Sequence, residues 1–190
     1  ARLLLATNEN NILTRCVQDG DYSVGEVVQT LSPSMDIQVA SNFERYLYYL
    51  FDRDAGRVRA AFAQLKAEGR ITFTAEELQQ LQQVFGSASV DRTQTLETIK
   101  AFKRETGYLL DPHTAVGVRA AQELITDGTP VICLATAHPA KFGDAVTEAT
   151  GEAVPVPTSI ARLEGLPTRC ERMPADLELV RQFVIAWAGL

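Results

Sequence analysis

The chain has 190 residues, 46% of them hydrophobic and 22% charged, an ordinary globular balance long enough for one sizeable core, so disorder is not its default state. A formal charge of −6 disfavours a binder of nucleic-acid backbones, which concentrates Lys and Arg on one face. No basic run and no apolar stretch of membrane-spanning length occurs.

Leu3 to Ala6 is an uninterrupted apolar run that stops in Thr7-Asn8-Glu9-Asn10, the pattern of a buried parallel strand ending in a polar loop. Ile12, Leu13, Cys16 and Val17 then have helical spacing until Gly20-Asp21 breaks it, and residues 20–33 read as a loop closed by Pro33. From Ser34, the spacing of Met35, Val39, Phe43, Tyr46, Leu47 and Leu50 predicts one continuous helix, with Ser34 as its N-cap and Asp36 in its first turn. A second helix is predicted over Gly56 to Glu68, stopped by Gly69. The capping-box pattern Thr74-Ala-Glu-Glu77 opens a third, ended by Gly86, and a fourth runs from Asp91 or Thr93 to Gly107. The middle of the chain is therefore expected to be helical, without a strong strand.

After Tyr108, helix and strand alternate: a helix from Pro112 to about Thr126, a strand over Pro130 to Ala135, a helix from His138 to Thr150, and Val154. This alternation implies an α/β fold with a mainly parallel sheet and helices on both faces. Residues 1–33 and 106–190 are assigned to that α/β domain and residues 34–105 to a helical insertion. A last amphipathic helix, Asp176 to Trp187, is expected to pack the terminus down. Cys16, Cys133 and Cys170 are odd in number, widely spaced and without metal-ligand spacing. Neither a disulfide framework nor a metal site is expected, and a reducing cytoplasm fits.

Ligands of open parallel sheets collect beyond the carboxyl ends of strands, which selects the loops Thr7 to Asn10 and Thr136 to Pro139. Thr136 has two readings there, a site hydroxyl or the N-cap of the next helix. His138 is likewise a base or a capping group. Asp111-Pro112 reads either as part of a site or as a plain N-cap followed by proline at the first helical position. Ser41, Asn42 and Arg45, with Gln38, share a helix face that the loop hydroxyls Ser32 and Ser34 precede; such donors suit an anion or simply a solvated face. Lys66, Lys100 and Lys103 stand in charged, exposed-looking helical contexts, unlike a lysine desolvated for covalent catalysis, and Lys141, which follows the Thr136 loop, reads as a surface residue of the next helix's first turn.

Four segments, in order along the chain, resemble the bacterial and fungal branch of the threonine synthase family: Ala6 to Asn10, Leu31 to Arg45, Thr106 to Gly117 and Thr136 to Phe142. The resemblance implies the large-domain fold of enzymes dependent on pyridoxal 5'-phosphate (PLP) and the conversion of O-phospho-L-homoserine and water to L-threonine and phosphate. In that reaction protons leave Cα and Cβ, phosphate leaves Cγ and water adds at Cβ, with the cofactor as electron sink. It further implies that Thr136 meets the pyridine nitrogen of the cofactor and that Asp111, His113 and Thr114 border its ring. Ser41, Asn42 and Arg45, with Ser32 and Ser34, would hold the substrate's phosphate.

The family's cofactor-binding lysine and its glycine-rich phosphate loop have no counterpart in these residues, and the chain begins without Met. It therefore resembles a C-terminal portion whose catalytic lysine is expected upstream in the same protein, which would be its one macromolecular partner. Neither nucleic acid nor membrane is expected. The alternative reading is a non-catalytic helical interaction or regulatory module on an α/β scaffold; a lyase acting on unphosphorylated amino acids is disfavoured by the Ser32 to Arg45 donors.

Overall fold

In the computed structural model, which describes residues 2–189, the chain opens with strand β1 (Leu3–Thr7) and helix α1 (Ile12–Asp19). Gly20 ends α1 at φ 74°, a left-handed conformation that a side chain resists, and its amide returns to the carbonyls of Arg15 and Cys16. A short strand β2 (Tyr22–Ser23) lies within the segment expected to be all loop.

The helix predicted from Ser34 begins only at Phe43. Pro33–Met35 is a single 3-10 turn, residues 36–42 are irregular, and α2 runs over Phe43–Leu50. Two competing demands explain the difference. Asp36 is drawn into side-chain bonds with Asn8, Asn10 and Thr30 and does not serve a helix N-terminus. Farther on, the Ala40 amide donates to the Tyr22 hydroxyl at 3.1 Å. The apolar spacing thus crosses a segment that is not helical: Ile37 and Val39 are exposed, whereas Phe43, Leu47 and Leu50 are buried. Phe43 stacks between Tyr22 and Tyr46, and Tyr46 meets Phe85 edge-on at 4.8 Å, fixing where α2 starts.

Helix α3 (Ala55–Glu68) is capped by Asp54, which accepts from the amides of Gly56 and Arg57, and Gly69 stops it as predicted. Strand β3 (Arg70–Ile71) then pairs antiparallel with β2. The capping box of Thr74 and Glu77 opens α4 (Ala75–Val84). The next five residues correct the expectation of an all-helical middle: Phe85–Ser89 is strand β4, paired in parallel with β1 from Leu3–Phe85 to Thr7–Ser89. Phe-Gly-Ser-Ala-Ser carries no β-branched residue and so gives little strand signal. Its small side chains instead suit close approach, since a Cβ on Gly86 would lie 3.1 Å from Leu4 Cδ2.

Helix α5 (Arg92–Thr106) has a capping box of Asp91 and Gln94, and α6 (Pro112–Leu124) follows. The strand expected over Pro130 to Ala135 does not form. These residues have no ladder partner among the described residues, and Ile132 and Leu134 are 90% and 78% exposed. A strand requires partners for its amides and carbonyls, so apolar, β-branched composition alone does not make one. The helix predicted from His138 is divided into a 3-10 turn, Pro139–Phe142, and α7 (Gly143–Thr150).

The fold is α/β, and its first unit contains the parallel pair β1–β4. Contacts divide the chain at Pro155 and Val156. Within the first unit, α1, α2, α3 and α4 enclose one core around Ile12, Leu47 and Leu81, while Ile99, Leu110 and Val146 join α5, α6 and α7 in another. The second unit contains the short α8 (Thr158–Ala161) and α9 (Leu177–Ala188), the latter capped by Asp176. None of the side chains of α9 is buried.

Burial, with Asp21 nearby, pushes the Cys16 thiol up to about 12, which leaves almost no thiolate near neutrality. Alkylation of Cys16 at pH 8, followed by peptide mass spectrometry, is expected to be slower in the folded than in the urea-unfolded protein by at least about 100-fold. Equal rates would mean that the α1 core is open.

Candidate active site

The carboxyl end of β1 is built from hydroxyls and amides that satisfy one another. Thr7 and Thr14 share a hydrogen bond of 2.7 Å, Thr14 and Ser87 one of 2.8 Å, and Ser87 donates to the Leu5 carbonyl. Beyond the strand, Asn8 is 1% and Asn10 2% exposed. The Asn8 carboxamide nitrogen faces Thr30 Oγ1 at 2.7 Å, Asp36 Oδ1 at 2.8 Å and Ser32 Oγ at 3.0 Å. Its oxygen accepts from the Asn10 amide at 2.9 Å. Asp36 also accepts from the Thr30 hydroxyl and amide and from the Asn10 side chain. The segment from Thr30 to Asp36 is thereby folded over the end of β1, where short polar groups buried together must be paired to remain buried.

The N-terminus of α6 adjoins this segment. Asp111 is 1% exposed and acts as the helix cap: Oδ1 accepts from the His113 amide at 2.9 Å, and Oδ2 accepts from the Thr114 hydroxyl. Its second tie is to the imidazole, with His113 Nδ1 3.0 Å from Oδ1. On the other side of the ring, the Ser34 amide donates to Nε2 at 3.2 Å. Phe142 packs against His113 with ring centroids 4.7 Å apart, and so brings the segment that follows Thr136 against α6. Ser32, Ser34, Asp111, His113 and Thr114 therefore form one continuous network, with the 138–142 turn at its border.

Thr136 is exposed and precedes that turn. The cap of the turn is His138, whose Nδ1 accepts from the Ala140 amide at 3.1 Å. The capping reading of Thr136 is thus filled by another residue, and His138 takes the capping rather than the base reading. Lys66, Lys100 and Lys141 are exposed, and Lys103 pairs with Glu152 at 2.7 Å.

Ser41, Asn42 and Arg45 share one surface that Ser32 and Ser34 do not line. They line a cleft of about 670 Å³ between α2 and α3, together with Tyr48, Tyr49 and Arg59. Two guanidinium groups, a hydroxyl and a carboxamide suit an oxyanion, although Glu44 also lines the cleft. Sequence reasoning missed Arg59, which reads as a solvated residue of α3, and the clasp role of Asp36. The available signal for the clasp was the density of short polar residues at 8, 10, 30, 32 and 36.

For a cofactor pyridine ring, these residues offer an exposed Thr136 hydroxyl that the adjoining turn does not use as its cap, and an aromatic border of His113 and Phe142. Asp111 and Thr114 are committed to each other and to the helix cap, so they fit as supports rather than as direct donors. The donor set fits a ring with a neutral hydroxyl at its nitrogen.

A family profile described as "Threonine synthase, C-terminal" matches residues 114–184. Threonine synthase from Pseudomonas aeruginosa is 40% identical over 186 residues, covering 97% of this chain and 40% of the relative. The Saccharomyces cerevisiae enzyme is 37% identical over 96% of this chain and 41% of its own length. Among solved structures, PLP-bound threonine synthase from Brucella melitensis superposes with a TM-score of 0.89 at 39% identity, over 96% of this chain and 39% of that one. Yeast threonine synthase gives 0.86 at 35% identity, over 100% and 42%. The chain thus spans about 40% of the length of the curated relatives it matches.

Proposed function

We propose, for a chain that belongs to the threonine synthase family and spans about 40% of the length of the relatives it matches, that the whole protein converts O-phospho-L-homoserine and water to L-threonine and phosphate with bound PLP, as a carbon–oxygen lyase. The support that carries this reading is the identity of 40% across 97% of the chain. Bound PLP supplies an electron sink for proton removal from the substrate carbons.

The residues of this chain have narrower tasks. Thr136 donates or accepts a hydrogen bond at the ring nitrogen; being neutral, it leaves that nitrogen less protonated than a carboxylate would. His113 and Phe142 border the ring, while Asp111 and Thr114 hold His113 in place. Ser41, Asn42 and Arg45 take the substrate's phosphate, with Ser32 and Ser34 on the loop nearest α6. The covalent tether to PLP and the cradle for its phosphate come from another part of the same protein, since the lysines of this chain are exposed or, at Lys103, paired with Glu152. Its three cysteines are free, which suits a reducing cytoplasm.

The test is Thr136→Val in the full-length protein, which removes the hydroxyl while nearly preserving volume. A shifted cofactor absorbance band and a fall in turnover of about tenfold or more are expected, the scale of one lost hydrogen bond in a transition state. An unchanged spectrum and unchanged rate would detach Thr136 from the cofactor.

A further inference from the structure

We propose that His113 is a positioning residue held as a neutral imidazole with its proton on Nδ1, and that it fixes the Ser32–Ser34 turn against the N-terminus of α6 without exchanging protons with the reactants. The inference rests on the reading that this turn serves the substrate's phosphate, and it deepens that reading.

The hydrogen-bond polarity decides the tautomer. A backbone amide can only donate, and the Ser34 amide lies 3.2 Å from His113 Nε2; Nε2 must therefore present a lone pair. An ionised carboxylate can only accept, and Asp111 Oδ1 lies 3.0 Å from Nδ1; the single ring proton of a neutral imidazole is accordingly on Nδ1. Asp111 cannot rotate away from this duty, because it also accepts from the His113 amide and the Thr114 hydroxyl. The side chain is 7% exposed and its ring packs against Phe142.

The consequence is a ring without a spare site. A proton added at Nε2 would set two donors against each other at the present 3.2 Å separation, so His113 can serve as a base only by releasing Ser34. As a tether it spans 79 residues of sequence and joins a loop to a helix start. The same loop is held from its other side by Asn8, which donates to Ser32 Oγ at 3.0 Å. Ser32 and Ser34 are thereby fixed between the end of β1 and the start of α6, before any ligand arrives. Such preorganisation lowers the ordering cost of binding an anion.

The experiment uses the full-length, PLP-loaded protein with ¹⁵N-labelled histidine, in wild-type, His113→Phe and His113→Gln forms. Long-range ¹H–¹⁵N spectra at neutral pH are expected to show His113 with Nδ1 protonated and Nε2 bare; a protonated Nε2, alone or in an imidazolium, would overturn the proposal. H113F removes the acceptor and is expected to weaken inorganic phosphate binding and raise KM for O-phospho-L-homoserine by about tenfold, one hydrogen bond's worth, with a smaller effect on kcat. H113Q carries both an acceptor and a donor and is expected to recover most of that loss. A large loss of kcat in both H113F and H113Q, with KM little changed, would instead mark His113 as a proton carrier and overturn the proposal. Should H113F not fold, the wild-type spectrum and the H113Q kinetics decide between the two roles. A wild-type protein that binds phosphate but does not convert phosphohomoserine would sink the proposed function, while the nitrogen spectrum and the phosphate affinities would still decide the role of His113.

Discussion

Replacing Arg45 by alanine in the full-length protein is expected to raise KM for O-phospho-L-homoserine by about 10- to 100-fold, with little change in PLP absorbance. A hydrogen bond to a charged group contributes about 1.5–3 kcal/mol, and about 1.4 kcal/mol is tenfold in affinity. Arg45 is exposed at the mouth of its cleft, where water screens the pair, so the lower end of that range applies. Arg45→Lys keeps the charge but loses the planar fork, and is expected to fall between wild type and alanine. Arg59 faces the same cleft from α3, so the double substitution should cost more than either single one. An unchanged KM in Arg45→Ala would remove this residue from the phosphate site and leave the loop serines as the remaining candidates.

The second large effect concerns stability. Asp36→Ala deletes the acceptor shared by the Asn8 side chain at 2.8 Å, the Asn10 side chain at 3.1 Å, the Thr30 hydroxyl at 2.7 Å and the Thr30 amide at 2.9 Å. Asn8 and Asn10 are buried, so water does not freely replace the lost partner. Leaving buried donors unpaired costs about 1–3 kcal/mol each, of which local rearrangement recovers part, for a net loss of about 2–4 kcal/mol. In thermal unfolding of the full-length protein, a fall of about 5 °C or more is expected. Asp36→Asn retains one acceptor and should lose less. A melting temperature within about 1 °C of wild type would show that the clasp over β1 is not a source of stability.

The helices of the middle segment were legible because their ends carry local chemistry. Thr74 with Glu77, Asp91 ahead of α5, Gly69 and Gly107 each act within a few residues of where they stand in sequence. Strand β4 was not legible, since Phe85–Ser89 is held by pairing with β1 some eighty residues away and by the room that Gly86 leaves for Leu4. The start of α2 was misread for a related reason: a helical apolar spacing cannot reveal that Asp36 is engaged by residues 8, 10 and 30. The segment 130–135 shows the converse error, in which strand-forming composition outran the partners present.

Much of the candidate site could be read from sequence as location but not as role. The segments Thr7 to Asn10, Ser32 to Ser34 and Asp111 to Thr114 do meet, whereas the other loop expected at a strand end, Thr136 to Pro139, follows a segment that forms no strand among the described residues. The sequence offers capping as one of two readings of His138, and distance decides between them; that a backbone amide would meet the ring of His113 is a fact of distance and direction that no spacing encodes.

Whether a phosphorylated amino acid is held against a PLP ring is best decided by a crystal structure of the full-length protein with PLP and inorganic phosphate bound. The ring nitrogen is expected within hydrogen-bonding distance of Thr136 Oγ1 and the phosphate on Arg45, both opening into one cavity. Thr136 and Arg45 facing separate surfaces, with no cavity shared between them, would show that the two do not serve one substrate.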